Sequence, residues 1–246
     1  MKRWHWKTKG LSALSKQQNL LQHSLAVWPR RGKTLLEINC GQGMFSPLLW
    51  ECGFDLTATE LRPELRVRAA AAMGCRAEIA AAADDHLPFD DSSFDGVVLH
   101  LSSGDREKVK IAVREALRVS SGGLAVTFWN SASLAYLLHC LQGRKKTWPG
   151  PAHQWWSIWR LLKDMGDGKA CGMSTLAGPR SAWNRSCPLG GCVHKLPLPL
   201  GAWCVIRLDL GPARPVTPMP LKIKGQRLRR PEPVLEYGSK NSLNSQ

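Results

Sequence analysis

The residues of this 246-residue chain best suited to chemistry fall in three short runs. The first is Leu35-Leu36-Glu37-Ile38-Asn39-Cys40-Gly41-Gln42-Gly43, an apolar run carrying an acid, then a tight turn leading into Met44-Phe45. Small residues in such a turn let the backbone approach a ligand closely, and the N–H groups opening the next helix carry partial positive charge. The acid suits a cationic ammonium rather than a phosphate, and the Lys-Ser/Thr of a phosphate-cradling loop is missing. The second run, Asp55-Leu56-Thr57-Ala58-Thr59, stops at Glu60. A carboxylate at that distance, on the end of the next strand, is placed to accept from two ribose hydroxyls. The third is Asp84-Asp85-His86-Leu87-Pro88-Phe89 with Ser93-Phe94-Asp95, followed by an apolar strand that ends at His100. An imidazole at that position suits a general base toward a hydroxyl. His153 and Tyr136 are weaker candidates for the same task.

Together these runs resemble the class I S-adenosylmethionine-dependent methyltransferases. The resembling group reads roughly Leu-Asp-x-Gly-x-Gly-x-Gly, then Asp or Glu, then Leu-Pro-Phe and Ser-Phe-Asp. The match runs from about Thr34 to Asn130 and includes Arg114-Glu115-Ala116-Leu117-Arg118-Val119 and Gly122-Gly123-Leu124, similar to the family's helix and turn before strand five. The resemblance implies S-adenosyl-L-methionine as cofactor, no metal, and a seven-stranded, doubly wound, mostly parallel α/β sheet (Rossmann-like) with an antiparallel last hairpin. It implies that Glu37 lies near the methionyl ammonium, that Asn39, Gly41 and Gly43 pass under the cofactor, and that Glu60 accepts from the ribose. Leu61 and Asp85 join the cofactor-binding set, Asp84 and His86 flank the adenine, and His100 with Leu101 stands beside the methyl group.

Two departures matter. Asn39 replaces the first glycine of the loop; asparagine is the non-glycine residue that best tolerates positive φ, so Asn39 is expected to adopt one. The acid before Leu-Pro-Phe is displaced by one residue, with Ala83 in its place and Asp84 next. These departures keep a degenerate, non-catalytic cofactor-binding protein as an alternative, against which the retained Glu37 and Glu60 argue. The acceptor expected is a small molecule, with RNA or protein as the alternative. The Asn/Asp-Pro-Pro-aromatic motif used on nucleobase amino groups is absent, the chain reading His100-Leu101-Ser102-Ser103.

The net charge of +15 is carried by the ends. Residues 1–36 hold eight Lys/Arg and no acid, and residues 213–246 hold seven against two acids, whereas the middle is nearly neutral. A nucleic-acid enzyme more often concentrates basic residues around its cleft, so a nucleic-acid partner is not favoured. No apolar run has the length of a membrane span, and no secretory leader is evident. The eight cysteines show no Cys-x-x-Cys pair and read as reduced thiols in a cytoplasmic protein. Cys187, Cys192 and His194 fit no standard zinc spacing.

The elements that must position these residues follow from periodicity. A basic, helical extension occupies 1–33, with a helix over 11–28 packing on the sheet or over the cofactor. The methyltransferase-like domain spans 34–212, with strands near 34–38, 55–59, 76–80, 94–100 and 123–129 and helices at 44–52, 62–73 and 105–119 between them. Residues 131–189 are expected to form a helical substrate lid; its Trp155, Trp156 and Trp159 suit either a core stripe or an aromatic wall. Gly166 to Gly191 reads as a long loop, with Val193–Lys195 and Ala202–Leu210 as the closing hairpin. The Pro-rich, basic stretch 213–246 reads as a disordered tail.

Overall fold

The computed structural model describes residues 8–141, 148–180, 183 and 199–211. The expected tail, residues 142–147, Val193–Lys195 and the Cys187/Cys192/His194 set lie outside the described residues. The chain divides into Met1–Ala213 and a separate C-terminal unit from Arg214 onward.

Within the first unit, strands and helices alternate: α1 (Thr8–Leu25), β1 (Thr34–Ile38), α2 (Ser46–Glu51), β2 (Asp55–Thr59), α3 (Pro63–Met73), β3 (Glu78–Ala80), β4 (Gly96–His100), α4 (Arg106–Arg118) and β5 (Gly123–Asn130). They continue with α5 (Leu134–Leu141), β6 (Ala152–His153), α6 (Trp155–Met165), β7 (Lys169–Thr175) and β8 (Trp203–Asp209). The sheet order is β3-β2-β1-β4-β5-β8-β7, with β6 pairing the last two residues of β5, Trp129 and Asn130. β1 to β5 run parallel, and β8 pairs antiparallel with both β5 and β7. The order reverses between β1 and β4, which is where an open α/β sheet opens a crevice at its carboxyl ends.

The central strands β1, β4, β5 and β8 bury both faces because helices cover both sides. On one face Leu36, Ile38, Val97, Leu99, Val126 and Phe128 pack with Val109 and Val113 of α4 and Ile158 and Leu162 of α6. On the other, the intervening residues Leu35, Val98, Ala125 and Val205 pack against Leu20, Leu21 and Leu25 of α1 and Leu49 of α2. Strand alternation therefore sends Glu37, His100 and Thr127 to the α1 face of the sheet. The end of α1 is pinned there by the buried Arg207 on β8, whose Nη1 donates to the Ser24 carbonyl and whose Nε pairs with Asp209 at 2.9 Å.

In the second half one expectation is corrected and one pair of alternatives is decided. The first strand of the closing hairpin is β7, inside the stretch expected to be a loop. Its Lys-Ala-Cys-Gly-Met-Ser-Thr sequence carries few large apolar side chains because the covering helix fills the space: a Cβ on Gly172 would stand 2.3 Å from Trp155 Cζ2. For the same reason Trp155 and Trp159 are core residues, stacked on each other at 6.3 Å on the α4/α6 face, while Trp156 is exposed. The α6 tryptophans thus lie across the sheet from His100 and do not wall its crevice.

Candidate active site

The loop after β1 is shaped by three positive φ values, Asn39 at 60°, Gly41 at 63° and Gly43 at 74°. Asn39 takes the conformation expected of it. A Cβ on Gly43 would lie 3.0 Å from Ala69 Cα, so glycine is what lets the loop pass under α3, whereas one on Gly41 would meet nothing within 4 Å. The loop therefore presents an open backbone face at Gly41, as close approach to a ligand requires.

Three carboxylates converge around this loop. Glu37 is fully buried; its Oε1 lies 3.0 Å from His100 Nε2, and its Oε2 has no partner among the described residues. A buried carboxylate oxygen without a donor is costly unless a cation or donor completes it. Glu60 is 2% exposed. Its Oε2 accepts from the Gly41 N–H at 2.9 Å, and its Oε1 accepts from the Arg62 N–H at 3.1 Å and Nε at 2.9 Å. Leu61 beside it holds an apolar side chain in solvent at 58% exposure, a surface suited to a flat apolar face. Asp84 is partly buried, and its Oδ2 accepts from Asn39 Nδ2 at 2.7 Å and Ser102 Oγ at 3.3 Å. Burial pushes the Cys40 thiol well above its ordinary range, and the Glu37 and Glu60 charges push it the same way. The pocket is therefore electronegative and suits a cationic ligand.

Asp85 and His86 are exposed beyond this convergence, and His86 lies within electrostatic reach of Glu115 on α4. The Leu-Pro-Phe segment is held by the same helix. Glu115 Oε1 accepts from the Leu87 N–H at 2.9 Å, while the Arg118 guanidinium donates to the Leu87 and Phe89 carbonyls at 3.2 and 2.9 Å. The Glu115-x-x-Arg118 spacing thus fixes the loop that carries Asp84.

His100 ends β4, where both ring nitrogens are committed. Nδ1 lies 2.6 Å from Thr127 Oγ1 on β5, Nε2 meets Glu37, and Phe45 stacks on the ring at 5.0 Å. A base needs a free lone pair toward its substrate, so this geometry makes His100 a positioning residue that holds Glu37. Thr127, Phe45 and Arg62 are the contributors that the sequence reading missed. Only Thr127 left a signal, as the one hydroxyl in Gly-Leu-Ala-Val-Thr-Phe-Trp.

Residues 36–127 match the family model described as a methyltransferase domain. No curated protein matches the chain by sequence. Among solved structures, a possible histamine N-methyltransferase from Thermotoga maritima is 19% identical with a TM-score of 0.65, covering 85% of this chain and 94% of its own. The magnesium protoporphyrin IX methyltransferase of Synechocystis PCC 6803, with bound S-adenosylhomocysteine, is 13% identical with a TM-score of 0.61, covering 86% and 89%. These similarities show the fold. The matched model gives the chain a methyltransferase domain over residues 36–127, carried by the 3-2-1-4-5 sheet and the glycine loop.

Proposed function

We propose that the protein transfers the methyl group of S-adenosylmethionine to a small-molecule acceptor, with Glu37, Asn39, Gly41, Gly43, Glu60, Leu61 and Asp84 holding the cofactor. The observation that carries this reading is the buried Glu37 Oε2, without a partner among the described residues, at the switch point of the sheet and in a pocket made negative by Glu60 and Asp84. That set of acceptors fits a ligand bearing an ammonium, a sulfonium and ribose hydroxyls. When bound, the cofactor supplies an activated methyl group, and the protein supplies position and exclusion of water.

Each side chain then has a physical task. Glu37 completes the ammonium, and His100, fixed by Thr127 and Phe45, keeps its other oxygen oriented. Glu60 accepts from the ribose once the half-exposed Arg62 side chain swings away, since a carboxylate only 2% exposed has no other open side. Leu61 packs on the adenine, and Asp84 stands at its edge. Asp85 and His86 line the approach as exposed groups. The acceptor side is the carboxyl end of β4 and β5 and the segments after it.

A small-molecule acceptor is supported by the placement of the basic residues at the chain ends, away from the pocket-forming middle. The two similar structures named above act, by their descriptions, on small molecules. We place the protein in the cytoplasm: the six described cysteines are all free thiols, which suits a reducing compartment, and among the described residues no helix is long and apolar enough to cross a membrane.

The test is titration calorimetry with S-adenosylhomocysteine, paired with labelled methyl transfer into metabolite and RNA pools. Glu60→Ala is expected to weaken the cofactor by roughly ten- to a hundredfold, from the loss of charge-assisted bonds of about 1.5–3 kcal/mol. Glu60→Gln should keep part of the affinity through its amide oxygen. Absence of cofactor binding by the wild-type chain would favour the degenerate alternative, and label entering RNA alone would overturn the acceptor class.

A further inference from the structure

Beyond the cofactor crevice the α1 face of the sheet continues into a cluster of rings. Phe45 bridges His100 and Trp203, with centroids 5.0 and 5.6 Å away. Trp203 is the cross-strand partner of Trp129, which lies two residues past Thr127 on the same face. Trp129 then begins a second group in which one ring is central. The Trp148 indole meets Tyr136 at 5.1 Å, His139 at 5.3 Å, Trp129 at 5.6 Å and Trp183 at 6.3 Å. Three of these four contacts are edge-to-face, at 75–87°, the geometry in which the positive edge of one ring meets the negative face of another.

Trp148 differs from the other indoles in the group. Trp129 and Trp183 are 8% and 2% exposed and are held by the sheet and by α1, whose Ser12 Oγ and Lys16 Nζ donate to the Trp183 carbonyl at 3.1 and 2.8 Å. Trp148 is half-buried on the connection between α5 and β6, and its Nε1–H is buried without an acceptor among the described residues. A buried indole N–H normally finds a partner. The ring therefore sits in a fixed aromatic socket while its polar atom is unsatisfied, so leaving the socket restores a hydrogen bond to that N–H. A planar ring taking its place keeps the edge-to-face contacts. The socket also carries positive charge. The Arg180 guanidinium lies over the Trp148 and Trp183 rings at 5.8 and 5.9 Å, and the Lys16 ammonium stands at the Trp183 wall.

We propose that the socket filled by the Trp148 indole is the acceptor subsite, and that it takes a planar aromatic acceptor of two-ring size bearing a negatively charged group. The Trp129, Trp183 and Tyr136 rings grip the acceptor, Arg180 and Lys16 meet its charge, and Trp148 is displaced outward. The row His100–Phe45–Trp203 joins this socket to the carboxyl ends of β1 and β4 on one face of the sheet. The proposal rests on the methyltransferase reading above, because the acceptor must lie beside that crevice.

The experiment uses the full chain saturated with S-adenosylhomocysteine, with 2-naphthoate as probe and cyclohexanecarboxylate as the non-planar control. Calorimetry should show 2-naphthoate binding to the wild type and no binding of the control. Trp148→Ala should bind 2-naphthoate about tenfold tighter, because no aromatic pair must be given up first. Arg180→Gln should bind it about tenfold more weakly through loss of the charge. Fluorine NMR of fluorotryptophan-labelled protein, with the Trp148 resonance assigned from Trp148→Phe, should show that resonance move to a solvent-exposed position on binding. This reading separates displacement from the cavity any Trp→Ala change creates, and Trp148→Phe serves if the alanine variant fails to fold. Failure of 2-naphthoate to bind while S-adenosylhomocysteine still binds overturns the subsite alone. Binding that ignores Arg180→Gln and leaves the Trp148 resonance unmoved does the same. Failure of S-adenosylhomocysteine to bind overturns the reading beneath it.

Discussion

Asn39 is the residue through which the conflict between loop stability and cofactor entry can be measured. Its φ of 60° is one that glycine adopts freely and asparagine tolerates. Its Nδ2 donates to three acceptors that span the crevice: Asp84 Oδ2 at 2.7 Å, the His100 carbonyl at 3.1 Å and Ser102 Oγ at 3.2 Å. One amide thus ties the end of β1 to the end of β4 and to the loop after β3. Asn39→Gly removes these bonds without backbone strain. One charge-assisted and two shared neutral bonds at a partly exposed site amount to about 1–2 kcal/mol. Asn39→Ala loses the same bonds and adds a left-handed alanine, about 1–2 kcal/mol more. Urea denaturation without cofactor should therefore rank wild type above Gly and Gly above Ala, the Gly–Ala gap reading backbone strain less the unfolded-state entropy that glycine adds. In the cofactor site proposed above Asp84 stands at the adenine edge, so a ligand using that carboxylate competes with this amide, and the order of wild type and Gly reverses for ligand. Asn39→Gly should bind S-adenosylhomocysteine up to about tenfold tighter than wild type, the equivalent of 1.4 kcal/mol released. Asn39→Val, strained and branched, should bind it much more weakly. Equal stabilities for Gly and Ala would refute the strain argument, and weaker binding by Asn39→Gly would refute the competition argument.

Two further outcomes test the frame around the site. Gly172→Ala would place a Cβ 2.3 Å from Trp155 Cζ2, so it should lower stability by about 1–3 kcal/mol while leaving cofactor affinity unchanged; an unaltered urea midpoint would mean that α6 is not seated on β7. Burial holds the His153 imidazole below its ordinary pKa, against a Ser103 backbone hydrogen bond that favours the charged ring. The unfolded chain then takes up this proton more readily, so the His153 contribution is complete above about pH 6.5 and is lost as the pH falls below it. His153→Gln should flatten that acid limb of the stability profile, and an unchanged slope would place the pH dependence elsewhere.

What could be read from the chain alone was whatever depends on local pattern. Leu35 to Ile38, Leu56 to Thr59 and Val97 to Leu99 are apolar runs bounded by turn residues, and strands of that kind form wherever both faces are to be buried. The loop at 39–43 was legible because positive φ narrows the allowed residues to glycine and asparagine. Glu37, Glu60 and Asp84 were legible because each sits at or just beyond the end of a strand, and parallel strands bring such positions to one edge. The strand β7 was not legible, since its near-absence of large side chains answers Trp155, a residue of the helix laid over it.

The tertiary structure decided which of several possible roles each residue takes. From the sequence, His100 was a free imidazole at a strand end; the register His100↔Thr127 and the arrival of Phe45 from the glycine loop commit both of its nitrogens. Trp155 and Trp159 had the same helical spacing whether they faced core or ligand, and only the side of the sheet on which α6 docks sends them to the core. The rings that do extend from the crevice, Trp129, Trp148, Trp183 and Trp203, come from four separate segments. Their meeting depends on long-range pairing and on α1 holding Trp183, and no local periodicity records contacts between residues so far apart in the chain.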